Sequence, residues 1–141
     1  MNKSALAAIL ILLAGTLFFF NVWSPSLYDA AETTYGEFIK QMRLTHDWLT
    51  LHYNGQIIFD KPPLFFWLAT IATYLFGMNE LALRFWAAAS GVLTVVLVFY
   101  LASEFYNERA GLLSGLVTMT AFQFLIQSRI AEIDILLTLL L

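Results

Sequence analysis

Hydrophobic and polar positions follow one another in long blocks along this chain. Apolar runs cover residues 5–23, 64–76, 83–101 and 111–126, and a further run opens at Ile133. About 20 apolar residues are needed to cross a bilayer core of ~30 Å, and the first run just reaches that length. The pattern therefore predicts an all-α polytopic membrane protein with about four to five hydrophobic helices.

One long polar interval, residues 24–63, separates the first apolar run from the others. Within it, apolar side chains recur on one face of a helix: Ala31, Tyr35, Phe38, Ile39 and Met42. This spacing predicts an amphipathic helix at about residues 30–44, suited to lie in the membrane interface. Asn54-Gly55 favours a tight hairpin turn, with an irregular loop as the alternative.

The apolar runs also predict an arrangement in the membrane. For residues 5–23 an uncleaved anchor competes with a signal peptide, and the long run without a small-x-small cleavage site favours the anchor. Lys3 directs the N-terminus to the cytoplasm, so residues 24–63 are predicted to face outward. The run 64–76 is only ~20 Å long as a helix, so it tilts, thins the bilayer, or is a re-entrant or interfacial piece. Residues 64–141 would supply further helices, the last cut short, as in the N-terminal module of a larger protein.

Composition strengthens the membrane prediction and removes other classes. The chain is 60% hydrophobic and 12% charged, with a mean hydropathy of +0.76. An ordinary soluble domain is about 45–50% apolar and about 25% charged. The net charge of −3, without a basic run, argues against a nucleic-acid partner. The absence of cysteine excludes disulfides and thiolate chemistry.

Asp29 and Glu32 open the predicted interfacial helix three residues apart, the spacing of a capping box. Carboxylates at a helix N-terminus satisfy free N–H groups and meet the positive end of the helix dipole. A carboxylate there can also act as a general base that takes a proton from an acceptor hydroxyl or amine. Both roles stay open, because a cap also fixes the carboxylate in place.

A few other ionisable residues are candidates for chemistry. Lys61 is either a snorkelling interfacial lysine or a contact for an anionic lipid phosphate. Arg84, Arg129 and Asp134 lie against or within apolar runs, where ionisable residues are costly and indicate function. Three potential zinc ligands share the polar interval, although the sequence does not fix their geometry: His46, Asp47 and His52.

Four groups of residues, in this order, resemble the N-terminal part of membrane glycosyltransferases of the GT-C class. That class contains the protein O-mannosyltransferases and the lipid A aminoarabinose transferase. The first group is the acidic pair after the first helix, followed by Tyr35 and Glu37. The others are Asp47-Trp48-Leu49-Thr50 with Asn54-Gly55, then Phe59-Asp60-Lys61-Pro62-Pro63-Leu64, and Gln127-Ser128-Arg129 ahead of Asp134. Together they cover nearly the whole chain.

The resemblance implies transfer of a sugar from a polyprenyl-phosphate donor to a lipid, protein or glycan acceptor outside the cytoplasmic membrane. It implies that Asp29, Glu32 and Asp134 supply the catalytic carboxylates. Substrate binding would fall to a tyrosine and three cations: Tyr35, Lys61, Arg84 and Arg129. Membrane lipids are the implied surroundings, no cofactor is fixed, and a divalent metal is left open.

Ala31 departs from the family pattern, because many members have Asp directly before the Glu of the first motif. Asp29 and Glu32 are the nearest carboxylates, and on a helix they share a face. The departure favours an alternative, a non-catalytic membrane scaffold or lipid-binding subunit that keeps the fold. A transporter is a third class, without an inverted repeat to support it. If every segment spans once, Asp134 falls on the side opposite Asp29.

Overall fold

The computed structural model describes residues 2–24, 30–53, 55–59 and 61–141. These residues form a mostly helical fold with one short hairpin, as predicted. The elements in chain order are α1 (Lys3–Phe19), α2 (Ala30–Thr45), β1 (Leu51–Tyr53), β2 (Gln56–Ile58), α3 (Leu64–Phe76), α4 (Glu80–Phe105), α5 (Glu108–Thr120), α6 (Phe122–Gln127) and α7 (Ile133–Leu140).

The antiparallel pair of α1 and α4 forms the centre of a bundle, with α5 packed against both. At one end, Lys3 Nζ lies 3.3 Å from Glu104 Oε2. At the other end, Arg84 Nη1 donates to the carbonyl of Val22, 3.1 Å away. We call this second end, where α1 ends and α4 begins, the site end. The buried face of α1 repeats every four residues: Leu6, Leu10, Ala14 and Phe18.

Apolar side chains also cover the outward faces of these helices, among them Ile9, Leu12, Leu93, Leu97 and Val117. A helix that is apolar all round is expected in a membrane rather than on the surface of a soluble domain. Among the described helices, α4 alone has the length and apolar composition to cross a bilayer. The apolar helices α1 and α3 are shorter.

Three helices differ in their bounds from the apolar runs that predicted them. The α1 and α4 helices each begin earlier, because asparagine side chains cap their first turns: Asn2 accepts from the N–H of Ala5, and Asn79 from that of Ala82. The predicted helix 111–126 is divided into α5 and α6 at Ala121, whose backbone is extended. The Thr120 hydroxyl donates to the carbonyl of Leu116 just before the break, a contact that bends helices.

The amphipathic helix is confirmed as α2, and its apolar face is buried. Tyr35, Phe38, Ile39 and Met42 pack with residues of β1 and α3, among them Leu51, Phe65, Phe66 and Ala69. The sequence assigned this face to the membrane interface, but α3 presents its own aromatic side chains and covers it with protein. The result is a second core, beside the one between α1, α4 and α5.

The turn after α2 and the hairpin follow the sequence signals. The helix ends at Thr45, and His46 has the left-handed φ of 57° that turns the chain out of it. The strands β1 and β2 pair antiparallel with Tyr53 opposite Gln56. Gly55, between them, has a φ of 77°, which glycine adopts without steric cost. Asn54 lies outside the described residues.

Both ends of α3 lie near the site end. The Phe66 ring, near its start, is 5.3 Å from the Tyr35 ring of α2. The Phe76 ring, at its end, is 5.2 Å from that of Phe85 in α4, which in turn lies 5.7 Å from the Phe19 ring. A helix that crossed the bundle would have its ends at opposite ends of α1 and α4. Of the alternatives left open for residues 64–76, the arrangement favours a re-entrant or interfacial piece.

Candidate functional site

A buried ion pair between Glu32 and Arg84 lies at the centre of the site end. Arg84 Nε donates to Glu32 Oε1 at 2.6 Å, and Arg84 Nη2 donates to Glu32 Oε2 at 2.9 Å. The arginine is 0% exposed and the glutamate 2% exposed. This two-pronged geometry is the strong form of a guanidinium–carboxylate contact.

The same pair connects two further segments. Arg84 Nη1 donates to the carbonyls of Val22 and Ser24, both at 3.1 Å, in the chain that follows α1. The backbone N–H of Ala131, ahead of α7, donates to Glu32 Oε1 at 3.0 Å. The pair therefore fixes the ends of α1 and α6 and the starts of α2, α4 and α7 relative to one another.

A cleft of about 290 Å³ brings together two of the predicted substrate-binding residues, Lys61 and Tyr35. We call it the lysine cleft. It is lined by Ala31, Thr34, Tyr35, Phe38, Tyr53, Ile58 and Lys61. Its walls are mostly aromatic and apolar, and the Lys61 side chain is exposed beside them. An ammonium beside apolar walls suits an anionic group carried on a lipid.

A second cleft, of about 430 Å³, brings together the other two, Arg84 and Arg129. We call it the arginine cleft. It is lined by Phe20, Asn21, Val22, Arg84, Ile126, Arg129 and Ile130. Asn21 has a left-handed φ of 60° and turns the chain out of α1. The carbonyls on either side of it accept hydrogen bonds from the two arginines, Phe20 from Arg129 and Val22 from Arg84.

The three predicted catalytic carboxylates, Asp29, Glu32 and Asp134, differ in what the structure shows of them. Glu32 is enclosed by its partners, and Asp29 lies outside the described residues. Asp134 is exposed on the first turn of α7, where Gln127 Nε2 donates to its Oδ2 at 3.4 Å. Because Ala131 contacts Glu32, α7 begins at the site end. Asp134 therefore lies at the same end of the bundle as Glu32.

The Asp47-Trp48-Leu49-Thr50 motif forms the turn between α2 and the hairpin. Asp47 Oδ1 accepts from the backbone N–H groups of Leu49 and Thr50, at 3.0 and 3.1 Å. The Thr50 side chain, these backbone donors and His52 hold the pKa of Asp47 well below its usual value. Within the described part of the chain, no three His, Asp or Glu side chains are grouped so as to hold a metal ion, and His46 does not complete such a group with Asp47 and His52.

Sequence reasoning missed the contact between Glu32 and Arg84. Both were singled out, one as a cap or base and the other as a costly arginine in an apolar run. A buried arginine in such a run requires an anionic partner, so this signal could have indicated that a partner exists. A single sequence does not indicate which of the available carboxylates is the partner of Arg84.

The comparison with known families adds a decisive observation. Residues 60–141, which include Lys61, Arg84, Arg129 and Asp134, match the family model of dolichyl-phosphate-mannose-protein mannosyltransferases. The chain belongs to this family. The resemblance to GT-C class membrane glycosyltransferases is thereby confirmed.

Curated relatives extend the match over most of the chain. An uncharacterized protein of Aquifex aeolicus is 34% identical over 136 residues, 96% of this chain and 27% of the relative. The undecaprenyl phosphate-alpha-4-amino-4-deoxy-L-arabinose arabinosyl transferase 1 of Pseudomonas fluorescens is 31% identical over 127 residues, 89% of this chain and 23% of the relative. The chain thus spans about a quarter of the length of these relatives.

Two solved structures of ArnT from Cupriavidus metallidurans share the fold. The apo structure has a TM-score of 0.85 at 25% identity, over 95% of this chain and 25% of ArnT. The structure bound to undecaprenyl phosphate has a TM-score of 0.84 at 26% identity, over 92% of this chain and 24% of ArnT. This chain therefore has the helical arrangement of one part of ArnT.

Proposed function

We propose that the chain is part of an enzyme that transfers a sugar from a polyprenyl-phosphate donor to a lipid, protein or glycan acceptor. The observation that carries the proposal is the meeting of Lys61 and Tyr35 in one apolar-walled cleft. Family membership supports the reaction class, and ArnT with undecaprenyl phosphate bound supports the kind of donor. No cofactor is assigned to the residues of this chain.

In the proposed reaction the acceptor hydroxyl or amine attacks the anomeric carbon of the sugar. The bond between that carbon and the phosphate oxygen breaks, and negative charge grows on the departing polyprenyl phosphate. The Lys61 ammonium is assigned to this phosphate, because a cation is most effective where negative charge develops. The Tyr35 and Phe38 rings keep water away from the phosphate, which strengthens the attraction.

The proton released by the acceptor is assigned to a carboxylate at the site end. Both oxygens of Glu32 are engaged by Arg84, and one of them also by Ala131. We therefore assign Glu32 a positioning role, and the base to Asp134 or Asp29. Asp134 has the exposure that proton transfer requires, and Asp29 lies three residues before Glu32.

We place the site end at the outer face of the cytoplasmic membrane. The α4 helix has the length to cross the bilayer, and α1 and α5 pack along it. Lys3 lies at the opposite end of the bundle. Positively charged residues favour the cytoplasmic side of a membrane, so this end is assigned to the cytoplasm. On this placement α2, the hairpin and α3 form a layer at the outer surface, where an embedded isoprenoid phosphate presents its headgroup.

Replacing Lys61 with alanine is expected to weaken the binding of undecaprenyl phosphate about tenfold, because a charge-assisted contact to the phosphate is lost. Binding is measured on the purified chain in detergent. Lys3→Ala removes the same charge at the other end of the bundle and should leave the affinity unchanged. Equal binding by the Lys61→Ala chain and the unaltered chain would remove the role assigned to Lys61.

One observation favours a second function, a non-catalytic subunit that binds the lipid. Ala31 lines the lysine cleft at the position where many family members carry Asp, so the cleft lacks that carboxylate.

The enzyme and the lipid-binding subunit differ in turnover. We expect Asp134→Asn combined with Asp29→Asn to reduce sugar transfer by the full-length enzyme at least about a hundredfold, with undecaprenyl phosphate binding kept. Unchanged transfer by the double variant would favour the lipid-binding subunit.

A further inference from the structure

We propose that the arginine cleft is a separate site for an anionic amphiphile, a molecule that carries a phosphate or carboxylate group on an apolar chain. The proposal rests on the proposed function, which places the site end at a membrane surface. It adds a second ligand, bound through Arg129 rather than Lys61.

Arg129 is held in place yet keeps donors for a ligand. Its Nη2 donates to the carbonyl of Phe20 at 2.9 Å, which fixes the guanidinium beside the end of α1. Its other N–H groups have no hydrogen-bond partner among the described residues, and within residues 2–24, 30–53, 55–59 and 61–141 it forms no ion pair. The side chain is part-exposed and lines the cleft. A guanidinium of this kind can donate hydrogen bonds to two oxygens of a phosphate or carboxylate.

The two arginines of this cleft differ in charge balance. Arg84 is buried, and its charge is offset by Glu32 at 2.6 Å. The positive charge of Arg129 has no such partner in the described part of the chain. The arginine cleft therefore has a net cationic character, which comes from Arg129.

The remaining walls define the apolar part of the ligand. Four of the lining side chains are apolar: Phe20, Val22, Ile126 and Ile130. A volume of about 430 Å³ is within the usual range of small-molecule sites, and it admits a headgroup with the first carbons of its chain. A small inorganic anion would leave these apolar walls in contact with water.

The arginine cleft is distinct from the lysine cleft. The two share no lining residue. Arg84 lines one, Ala31 lines the other, and the Glu32 side chain that follows Ala31 in sequence is bonded to Arg84. The buried ion pair thus lies between the clefts, so one ligand can occupy each.

The test compares two lipid probes on the full chain in detergent: short-chain phosphatidic acid and undecaprenyl phosphate. We expect Arg129→Gln to weaken phosphatidic acid binding about tenfold and to change undecaprenyl phosphate binding less than about twofold. Lys61→Gln is expected to do the reverse. Arg109→Gln removes an exposed arginine on α5 and should affect neither probe.

The outcomes separate this inference from the proposed function. If Lys61→Gln leaves undecaprenyl phosphate binding unchanged while the Arg129 effect is kept, the donor role of Lys61 is overturned and the second site stands. Equal weakening of both probes by each variant means one shared site and overturns the inference, as does phosphatidylcholine binding as tight as phosphatidic acid. Competition by glycerol phosphate at equal concentration assigns the cleft to a soluble phosphate and overturns the amphiphile, whereas competition only by the lipid supports it.

Discussion

Replacing Arg84 with glutamine is expected to lower the free energy of unfolding by about 3–5 kcal/mol, because the substitution leaves the Glu32 carboxylate buried without a compensating charge. The carbonyls of Val22 and Ser24 lose their donors as well. Since these contacts connect four segments, the loss should also reduce the affinity of both clefts. The free energy is measured by denaturant titration of the purified chain in detergent micelles.

An ion pair within α2, the helix that carries Glu32, provides the control. Lys40 Nζ and Glu37 Oε2 of α2 lie 3.4 Å apart, with Lys40 exposed and Glu37 partly exposed, and Lys40→Gln should cost less than about 1 kcal/mol. Removing both partners, as Arg84→Met with Glu32→Leu, should recover much of the stability lost in Arg84→Gln, because no buried charge remains. If Arg84→Gln proves as mild as Lys40→Gln, the pair does not hold the site end together.

Elements with a local cause were predicted from the sequence nearly to the residue. The helical spacing of apolar side chains indicated residues 30–44, and α2 covers Ala30–Thr45. Asn54-Gly55 favoured a hairpin turn, and β1 and β2 pair on either side of it. Pro63 occupies the N-cap position of α3, which begins at Leu64 as the apolar run 64–76 indicated. In each case a few neighbouring residues determine the backbone conformation.

Contacts between distant segments could not be predicted in this way. Glu32 and Arg84 are 52 positions apart, and each had a plausible local role of its own. The apolar helices posed a related difficulty, because a helix that is apolar all round carries no stripe to show which face meets its neighbours. The division of residues 111–126 into α5 and α6 was also missed, because neither Pro nor Gly marks the break at Ala121.

The sequence named candidate substrate-binding residues but did not indicate how they are grouped. Lys61, Tyr35, Arg84 and Arg129 were named as one set of substrate contacts, and the structure divides them between two clefts. The division follows from α3, which covers the apolar face of α2 and does not cross the bundle. The sequence does not reveal this division, because only the short helix α3 lies between Lys61 and the start of α4, which carries Arg84.

Replacing Gly111 with alanine is expected to lower the free energy of unfolding by about 1–3 kcal/mol, although alanine is the better helix former. A Cβ at this position would meet the Ser103 hydroxyl and would lie 2.7 Å from the backbone carbonyl oxygen of Phe99. The hydroxyl can rotate away, but the carbonyl moves only if α4 moves. The α5 helix would therefore separate from α4, and the close approach that small residues permit between helices would be lost.

Gly15 supplies the matched control, because a Cβ there would meet nothing within 4 Å. Gly15→Ala, also in a helix, should leave the stability unchanged or raise it by up to about 1 kcal/mol. Adding Ser103→Ala to Gly111→Ala should not restore stability, since the contact with the Phe99 carbonyl remains. A full recovery in that double variant would show that the serine, and not the α4 backbone, limits how closely α5 can pack.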